Sequence, residues 1–392
     1  MKILIVNTLY APNQIGGAEK SVQKFAEHLA MRNVKVGVMT LGEKEEFYEL
    51  NGVKIWRLKI QNNYWPFLNK KRSKIDKLRW HIKDIRNRSY KNKVTEIIHD
   101  FKPSIIHTNN LTGFSVFIWE VAKNFQLKIV HTLRDYYLQC PNVSKFKNNT
   151  VCENVCLDCK TLSFFKKKES QNVHYVAGIS DFILKDHINR GYFTKAKKGV
   201  VYNGFTISIA KEKKENVIKK EVIFGFIGQI NSSKGIELLL KSFVDLKSFK
   251  NWKLIIAGST SEAYKNKLKT IYNSDKIEYL GYIQSENFYK KIDVLVVPSI
   301  WNEPFGRVVL EGMIHRKIVI ASNRGGIPEL LKKNPTFIFD PEKNELSSLL
   351  RKIIERPGIL DSYKINRNDL LEFSIEKTVR SYKNVYQSLL EE

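Results

Sequence analysis

The stretch Asp293–Glu311, DVLVVPSIWNEPFGRVVLE, packs a strand, a loop and a helix into nineteen residues. Val294–Val297 is an apolar run of strand length, and Pro298-Ser299 stops it. The polar loop Trp301-Asn302-Glu303-Pro304-Phe305-Gly306 then feeds a helix carrying Val308, Val309 and Leu310. A strand that runs directly into a helix is the βα unit of an open α/β sheet. Such sheets hold ligands where strand ends meet helix N-termini. Glu303 and Glu311, with seven residues between them, bring two carboxylates to that place. An ionised glutamate only accepts hydrogen bonds and suits the recognition of hydroxyls. A salt-bridged surface helix would also carry two glutamates, so spacing alone leaves both readings open.

A chain of 392 residues exceeds the size at which one core usually stops growing, which implies two domains. An apolar content of 43% with six Trp excludes wholesale disorder. The net charge of +26, from 66 basic and 40 acidic residues, favours anionic partners: nucleic acid, anionic lipid or phosphorylated small molecules. No run reaches the roughly 18 apolar residues of a transmembrane helix. The opening MKILIVNTLY is too short for a usual secretory signal and reads as a first strand, so a cytoplasmic location is expected.

The βα rhythm recurs along the chain. Ile3–Val6 is a strand, and after it Gly16-Gly17 opens a helix with Val22, Phe25, Ala26 and Leu29 on one face. Two glycines there can bring backbone N–H groups close to an anion, although a plain tight turn explains them as well. They do not form G-x-G-x-x-G, so a nicotinamide dinucleotide site is not supported. Strands are expected at 34–39, 53–58, 105–106, 127–130, 173–176 and 200–202, with helices at 94–101 and 113–124. His107 and His131 fall just past two of these strands, and Asp135 follows His131 closely. The charged, aperiodic segment 207–220 marks a domain boundary. Beyond it, strand 222–228 ends at Gly228-Gln229, and Lys234-Gly235 opens the helix 236–246. Backbone donors, a helix terminus and a mobile cation suit a diphosphate, although this is not a Walker A loop. Strands at 252–257, 277–280 and 318–321 and a final helix at 375–389 complete the series. Gly325-Gly326-Ile327-Pro328-Glu329 follows the strand at 318–321.

Two stretches break the rhythm. Asn69–Lys93 holds eleven Lys/Arg against two Asp, with Ile75, Leu78, Ile82 and Ile85 at helical spacing and Trp80 near that face. Such a helix either packs its stripe on the domain or lies on an anionic membrane. Specific nucleic-acid binding is not expected, because no interleaved base-stacking aromatics accompany the charge. The second stretch carries all four cysteines, Cys140, Cys152, Cys156 and Cys159, as C-x11-C-x3-C-x2-C. The closing C-x2-C is compatible with a closed structural zinc site. An iron–sulfur cluster or free, redox-linked thiols are the alternatives.

Taken together, Gly16-Gly17-Ala18-Glu19, His131, Gly228 through Lys234-Gly235, Pro298-Ser299, Glu303-Pro304-Phe305-Gly306, Glu311 and Gly325–Glu329 resemble a family-four retaining glycosyltransferase of the GT-B fold. The resemblance covers essentially the whole chain. It implies an α/β architecture of two Rossmann-like domains facing a central cleft. Residues 1–205 would form the acceptor side, with a cysteine-rich insertion at 138–170 and the helix 372–392 packing back. Residues 206–371 would bind the nucleotide sugar. On this resemblance Glu303 binds donor-sugar hydroxyls, helped by Pro304, Phe305 and Gly306. Glu311 binds the ribose and Lys234 the diphosphate, beside Gly228. Gly16 and Gly17 sit near the phosphates or the acceptor, and His131 lines the reaction centre. The family usually has Arg where this chain has Gln229, which leaves the guanidinium's charge to Lys234 and a neighbour such as Arg307 or Arg324. The cysteine insertion also occurs in a subset of the family that resembles cell-surface polysaccharide transferases.

The expected reaction is transfer of a hexose-type sugar from a nucleotide-diphosphate sugar to a hydroxyl of a lipid-linked or polysaccharide acceptor. The enzyme would work at the inner membrane face, on an anionic surface. Paired metal-binding carboxylates are not evident at the diphosphate site, so no Mg²⁺ is expected to be required; zinc would be structural only. A sugar-phosphate synthase or phosphorylase-like enzyme with a soluble acceptor is the nearest rival. A non-catalytic nucleic-acid-binding protein, favoured only by charge, is the second.

Overall fold

The computed structural model describes residues 1–13, 16–67, 72–207 and 221–392. The boundary segment 207–220, apart from its first residue, and residues 69–71 of the basic stretch lie outside them. Two compact units emerge. One comprises Met1–Lys145, Cys152–Thr206 and Glu372–Glu392, and the other Phe146–Val151 and Ile207–Leu371.

The first unit is built on eight strands: β1 (Lys2–Val6), β2 (Lys35–Gly42), β3 (Glu46–Leu50), β4 (Val53–Lys59), β5 (Ile105–Thr108), β6 (Lys128–Leu133), and, after a short ribbon β7 (Phe146–Lys147) and β8 (Thr150–Val151) grouped with the other unit, β9 (Tyr175–Gly178) and β10 (Lys197–Val200). Their order is β10-β9-β6-β5-β1-β2-β4-β3, parallel throughout except for β3, which runs antiparallel to β4. Crossovers use the helices α1 (Gly17–Ala30), α2 (Lys74–Ile85), α3 (Lys91–Phe101), α4 (Phe117–Asn124), α5 (Leu157–Glu169) and α6 (Asp181–Asn189). Ser73 and Ser180 start α2 and α6 by accepting the Asp76 and Ile183 N–H groups. On one face of the sheet the 3.6-residue stripe Val22, Phe25, Ala26 and Leu29 shares a core with Ile375, Val379, Tyr382, Tyr386 and Leu389 of the last helix.

The second unit carries β11 (Val222–Ile227), β12 (Trp252–Ala257), β13 (Ile277–Gly281), β14 (Val294–Val297), β15 (Ile318–Ser322) and β16 (Ile338–Phe339) in the order β13-β12-β11-β14-β15-β16, all parallel. Helices α7 (Ile236–Val244), α8 (Glu262–Ile271), α9 (Ser285–Tyr289), α10 (Arg307–Ile314), α11 (Ile327–Leu330), α12 (Glu345–Glu355) and α13 (Arg367–Leu371) connect them, and α14 (Ile375–Leu390) belongs to the first unit. Strand order reverses between β11 and β14, which makes the gap beyond their carboxyl ends a topological switch point.

The sequence reading misplaces some boundaries. β5 and β6 run on through His107-Thr108 and His131-Thr132-Leu133, because buried hydrogen-bond partners let polar residues continue a strand that an apolar run would end. The helix expected from residue 113 begins at Phe117, and the strand expected at 200–202 lies at Lys197–Val200. β3 and β16 were not anticipated. β3 is an edge strand with no buried residue, so its apolar pattern is weak.

Candidate active site

The loops that follow β11, β14 and β15 meet at the switch point of the second unit. Gly228 ends β11, and a Cβ placed there would meet nothing within 4 Å. Asn231 caps the next turn by accepting the Lys234 N–H at 3.1 Å. Gly235 has φ +74, and a Cβ there would lie 1.8 Å from the Pro298 carbonyl oxygen, so only glycine lets the two loops approach. The Ile300 and Trp301 N–H groups both donate to the Ser233 carbonyl at 3.1 Å and stitch the loops together.

This scaffold places the Lys234 ammonium 2.6 Å from Glu303 Oε1 and 4.7 Å from the centre of the Trp301 ring. The Ser299 hydroxyl lies 3.2 Å from the same carboxylate oxygen. The β15 loop supports Glu303 from behind. The Gly326 N–H donates to its carbonyl at 2.8 Å, and a Cβ on Gly325, at φ +61, would sit 2.1 Å from that oxygen. Pro304, Phe305 and Gly306 are buried, and Gly306, at φ +93, opens α10. One turn on, Arg307 Nε and Nη2 donate to Glu311 Oε1 at 3.1 and 3.0 Å. Both glutamates of the Glu303–Glu311 element are therefore ion-paired with cations expected to serve a diphosphate. Arg324 is also engaged, with Glu342 and, at 3.9 Å, with Asp340. Gln229 is exposed, and its carbonyl accepts from the Asn231 amide at 3.4 Å. Ser299 and Trp301 are the contributors sequence reasoning left without a role; Ser299's position directly past a strand end was the available signal.

In the first unit, Gly17 starts α1 and the Gly16 N–H is held by Glu19 Oε2 at 2.9 Å. His131 lies inside β6 rather than past its end, and it is 3% exposed. Its Nδ1 is 2.9 Å from Thr108 Oγ1, its ring stacks on Phe193, and Trp119 meets it edge-on. Burial, with His187 and the Arg134 guanidinium nearby disfavouring a second positive charge, pushes its pKa down to about 3, so the imidazole is neutral. His107 is a core residue, bound on both ring nitrogens by Tyr386 and Thr132. Asp135 accepts from the Tyr137 N–H at 2.8 Å and from the Asn110 amide, and burial raises its pKa to about 6.

Sequence reasoning missed a cavity of about 540 Å³ at the carboxyl ends of β1, β2 and β4, lined among others by Leu9, Pro12, Trp65 and Phe67. Glu46 and Arg57, which form an ion pair, supply its charged wall. The Trp65 and Phe67 rings meet edge-to-face at 5.1 Å. Two aromatics within three residues, directly after a strand, were the legible signal.

All four cysteines are free thiols. Cys156 caps α5, and Cys159, in its first turn, interacts with Cys156 and Cys140; burial and these neighbours raise its pKa. Among the described residues, no group of three or more His, Cys, Asp or Glu side chains is arranged to hold a metal ion. No described helix is long and apolar enough to cross a membrane.

Comparison with known proteins sets these features in a lineage. The glycosyl transferases group 1 family matches residues 208–369, and Glycosyltransferase Family 4 matches residues 15–208. A 42.6 kDa uncharacterized protein in the cps region of Klebsiella pneumoniae is 33% identical over 99% of this chain and 100% of its own length. The lipopolysaccharide 1,2-N-acetylglucosaminetransferase of Salmonella typhimurium is 29% identical over 35% of this chain and 41% of its own. Among solved structures, Anabaena HepE in complex with UDP superposes with a TM-score of 0.71 at 17% identity, covering 99% of this chain and 100% of that one. Two family matches that together span residues 15–369, a full-length relative and a shared fold agree, and the chain belongs to the family-four, group 1 glycosyltransferases of the GT-B fold.

Proposed function

We propose that this glycosyltransferase moves a hexose-type sugar, with retention, from a nucleotide-diphosphate sugar to a hydroxyl of a lipid-linked or polysaccharide acceptor in cell-surface glycan synthesis. The observation that carries the reading is the Lys234–Glu303 pair, held at 2.6 Å at the switch point beside the open space over Gly228. The lipopolysaccharide transferase among the relatives and the UDP bound by HepE support the substrate class.

In this mechanism the donor diphosphate lies over Gly228 and Lys234, and Lys234 turns from Glu303 to the phosphates as charge develops on them. Glu303, released, accepts from the sugar hydroxyls, with Ser299 fixing its orientation. Glu311 accepts from the ribose, which frees Arg307 for the phosphates in place of the missing guanidinium at Gln229. Gly16 and Gly17 stand on the acceptor side, where the Gly16 N–H would exchange Glu19 for a ligand oxygen and the Trp65–Phe67 cavity suits a sugar ring. His131, held neutral, serves as a hydrogen-bonding wall of the reaction centre and not as a proton carrier. Retention then follows from front-face substitution, with a leaving phosphate oxygen taking the acceptor proton. No side chain is assigned as a covalent nucleophile.

A panel of UDP-, GDP- and ADP-sugars, assayed for binding and slow hydrolysis, tests the reading. Turnover of one donor class, lost by roughly 10²-fold or more in Lys234→Ala and Glu303→Ala, is expected. No binding in the panel, with both variants unchanged in every activity, overturns it. The same reading places the enzyme at the inner face of the membrane.

The cysteines enter as a proposed structural zinc site. Their donor chemistry fits, and Cys159 already touches two of the other three, but the full ligand set is not assembled among the described residues. Metal analysis should give about one zinc per chain, lost in C156S/C159S.

A further inference from the structure

We infer that helices α2 and α5 together form a docking surface for an anionic lipid bilayer. This deepens the proposed use of a lipid-linked acceptor, but it rests on separate observations. Helix α2 is turned inside out: Ile75, Leu78 and Ile82 are 64%, 53% and 55% exposed, while Trp80 and Asp84 on the opposite face are buried. Trp80 donates its indole N–H to the Tyr64 carbonyl at 3.1 Å, which fixes that rotation of the helix. Helix α5 repeats the arrangement, with Leu157 and Phe164 at 75% and 72% exposure and Ser163 and Lys166 buried. These five account for five of the thirteen large apolar side chains exposed among the described residues, and two adjacent helices carry them.

The helices meet through their polar inner faces. The Lys166 ammonium is 3.9 Å from Asp84 and donates to the Tyr137 carbonyl at 3.2 Å, and the Arg86 guanidinium covers the Phe165 ring. The buried side of the pair is therefore held by a charge contact while the apolar side faces outward, the reverse of what a helix seeking a protein core does. Charge selects the occupant. Arg72, Lys74, Lys77 and Arg79 flank the α2 stripe, and Lys160, Lys167 and Lys168 flank that of α5. Long cationic side chains around apolar ones match a bilayer interface, where apolar groups enter the acyl boundary and ammonium groups remain among anionic headgroups. A second copy of the same surface would bring two cationic blocks together and be repelled.

Sedimentation with phosphatidylcholine vesicles, with and without phosphatidylglycerol, tests this at moderate salt. The full chain should partition to the anionic vesicles only, and less as salt rises. Leu78→Glu, Ile82→Glu and Phe164→Glu combined should lower that partition by about tenfold or more. A charge variant, K74Q/K77Q/K160Q, should also weaken it. All the altered side chains are exposed apolar or flanking groups outside the site, and thermal unfolding of both variants should match the wild type. Equal partition by wild type and apolar variant overturns the inference, as does equal binding to neutral vesicles. Self-association without vesicle binding, abolished by the apolar variant, overturns it in favour of a homodimer face. Because the readout is vesicle partition, failure of the transferase reading leaves this result standing, and the reverse also holds.

Discussion

At the scale of single residues, the candidate site depends on glycines as much as on charged groups. Gly228 and Gly235 frame the same loop, yet their surroundings differ. A methyl group at Gly235 collides with the Pro298 carbonyl, whereas one at Gly228 enters open space, although both residues have positive φ. Gly235→Ala must push the β14 loop away and break the Ser233 carbonyl's two hydrogen bonds. It should lower kcat/KM by about 10²-fold and destabilise the fold by roughly 1–3 kcal/mol. Gly228→Ala should spare more of the stability and raise the donor KM instead, because the methyl occupies the space proposed for the diphosphate. Urea unfolding and steady-state kinetics on the two variants distinguish these outcomes; identical profiles would remove the distinction.

At the scale of elements, α14 is tied to the strands of the first unit by a buried polar chain. Tyr386 Oη is 2.6 Å from His107 Nδ1, His107 Nε2 is 2.7 Å from Thr132 Oγ1, and Thr132 is 2.6 Å from Tyr382 Oη. In a fully buried setting each member is costly to leave alone. Tyr386→Phe should cost about 1–3 kcal/mol, and the double variant with His107→Phe less than the sum of the two single losses. Denaturant unfolding in a double-mutant cycle checks this, and strict additivity would mean that the groups do not act as a chain. The same chain explains why His107 and Thr132 could not be recognised as strand residues. Their partners lie 279 and 250 positions away, beyond the reach of any local pattern.

At the scale of the whole molecule, buried titratable groups set the response to acid. Folding holds His131 at about 3, His187 at about 4 and His107 well below its ordinary value, chiefly through desolvation. Unfolded, all three titrate near 6.5, so at about pH 5 the unfolded chain binds roughly three protons that the folded chain refuses. Asp84 and Asp135, raised to about 7 and about 6 by burial, act in the opposite sense and hold up to two protons in the folded chain that the unfolded one releases. The net difference is about one proton, so stability should fall by about 1.4 kcal/mol per pH unit on acidification near pH 5. Asp84→Asn removes one compensating group and should roughly double that slope. Thermal midpoints measured from neutral pH to about 4.5 test both, and a flat wild-type profile would show that the folded histidines take up protons freely.

The chain itself determined the two-unit α/β plan and the family. Short apolar strands, each followed by a helix with a 3.6-residue stripe, are local patterns, and such patterns locate Glu303, Lys234 and the glycines between strand and helix and Glu311 in the helix that follows. Tertiary structure alone decided what those residues touch. Lys234 meets Glu303 only because β11 and β14, which pair with Phe224 opposite Val294, lie side by side at the point where strand order reverses. His131 is a buried neutral group because the strand continues through it, and the aromatic cavity exists because three strand ends converge. The stripe of α2 shows the limit most clearly. Its periodicity announced an amphipathic helix, but whether that face meets a core or the outside depends on the rotation set by Trp80 and Asp84, which are fixed by residues distant in the sequence.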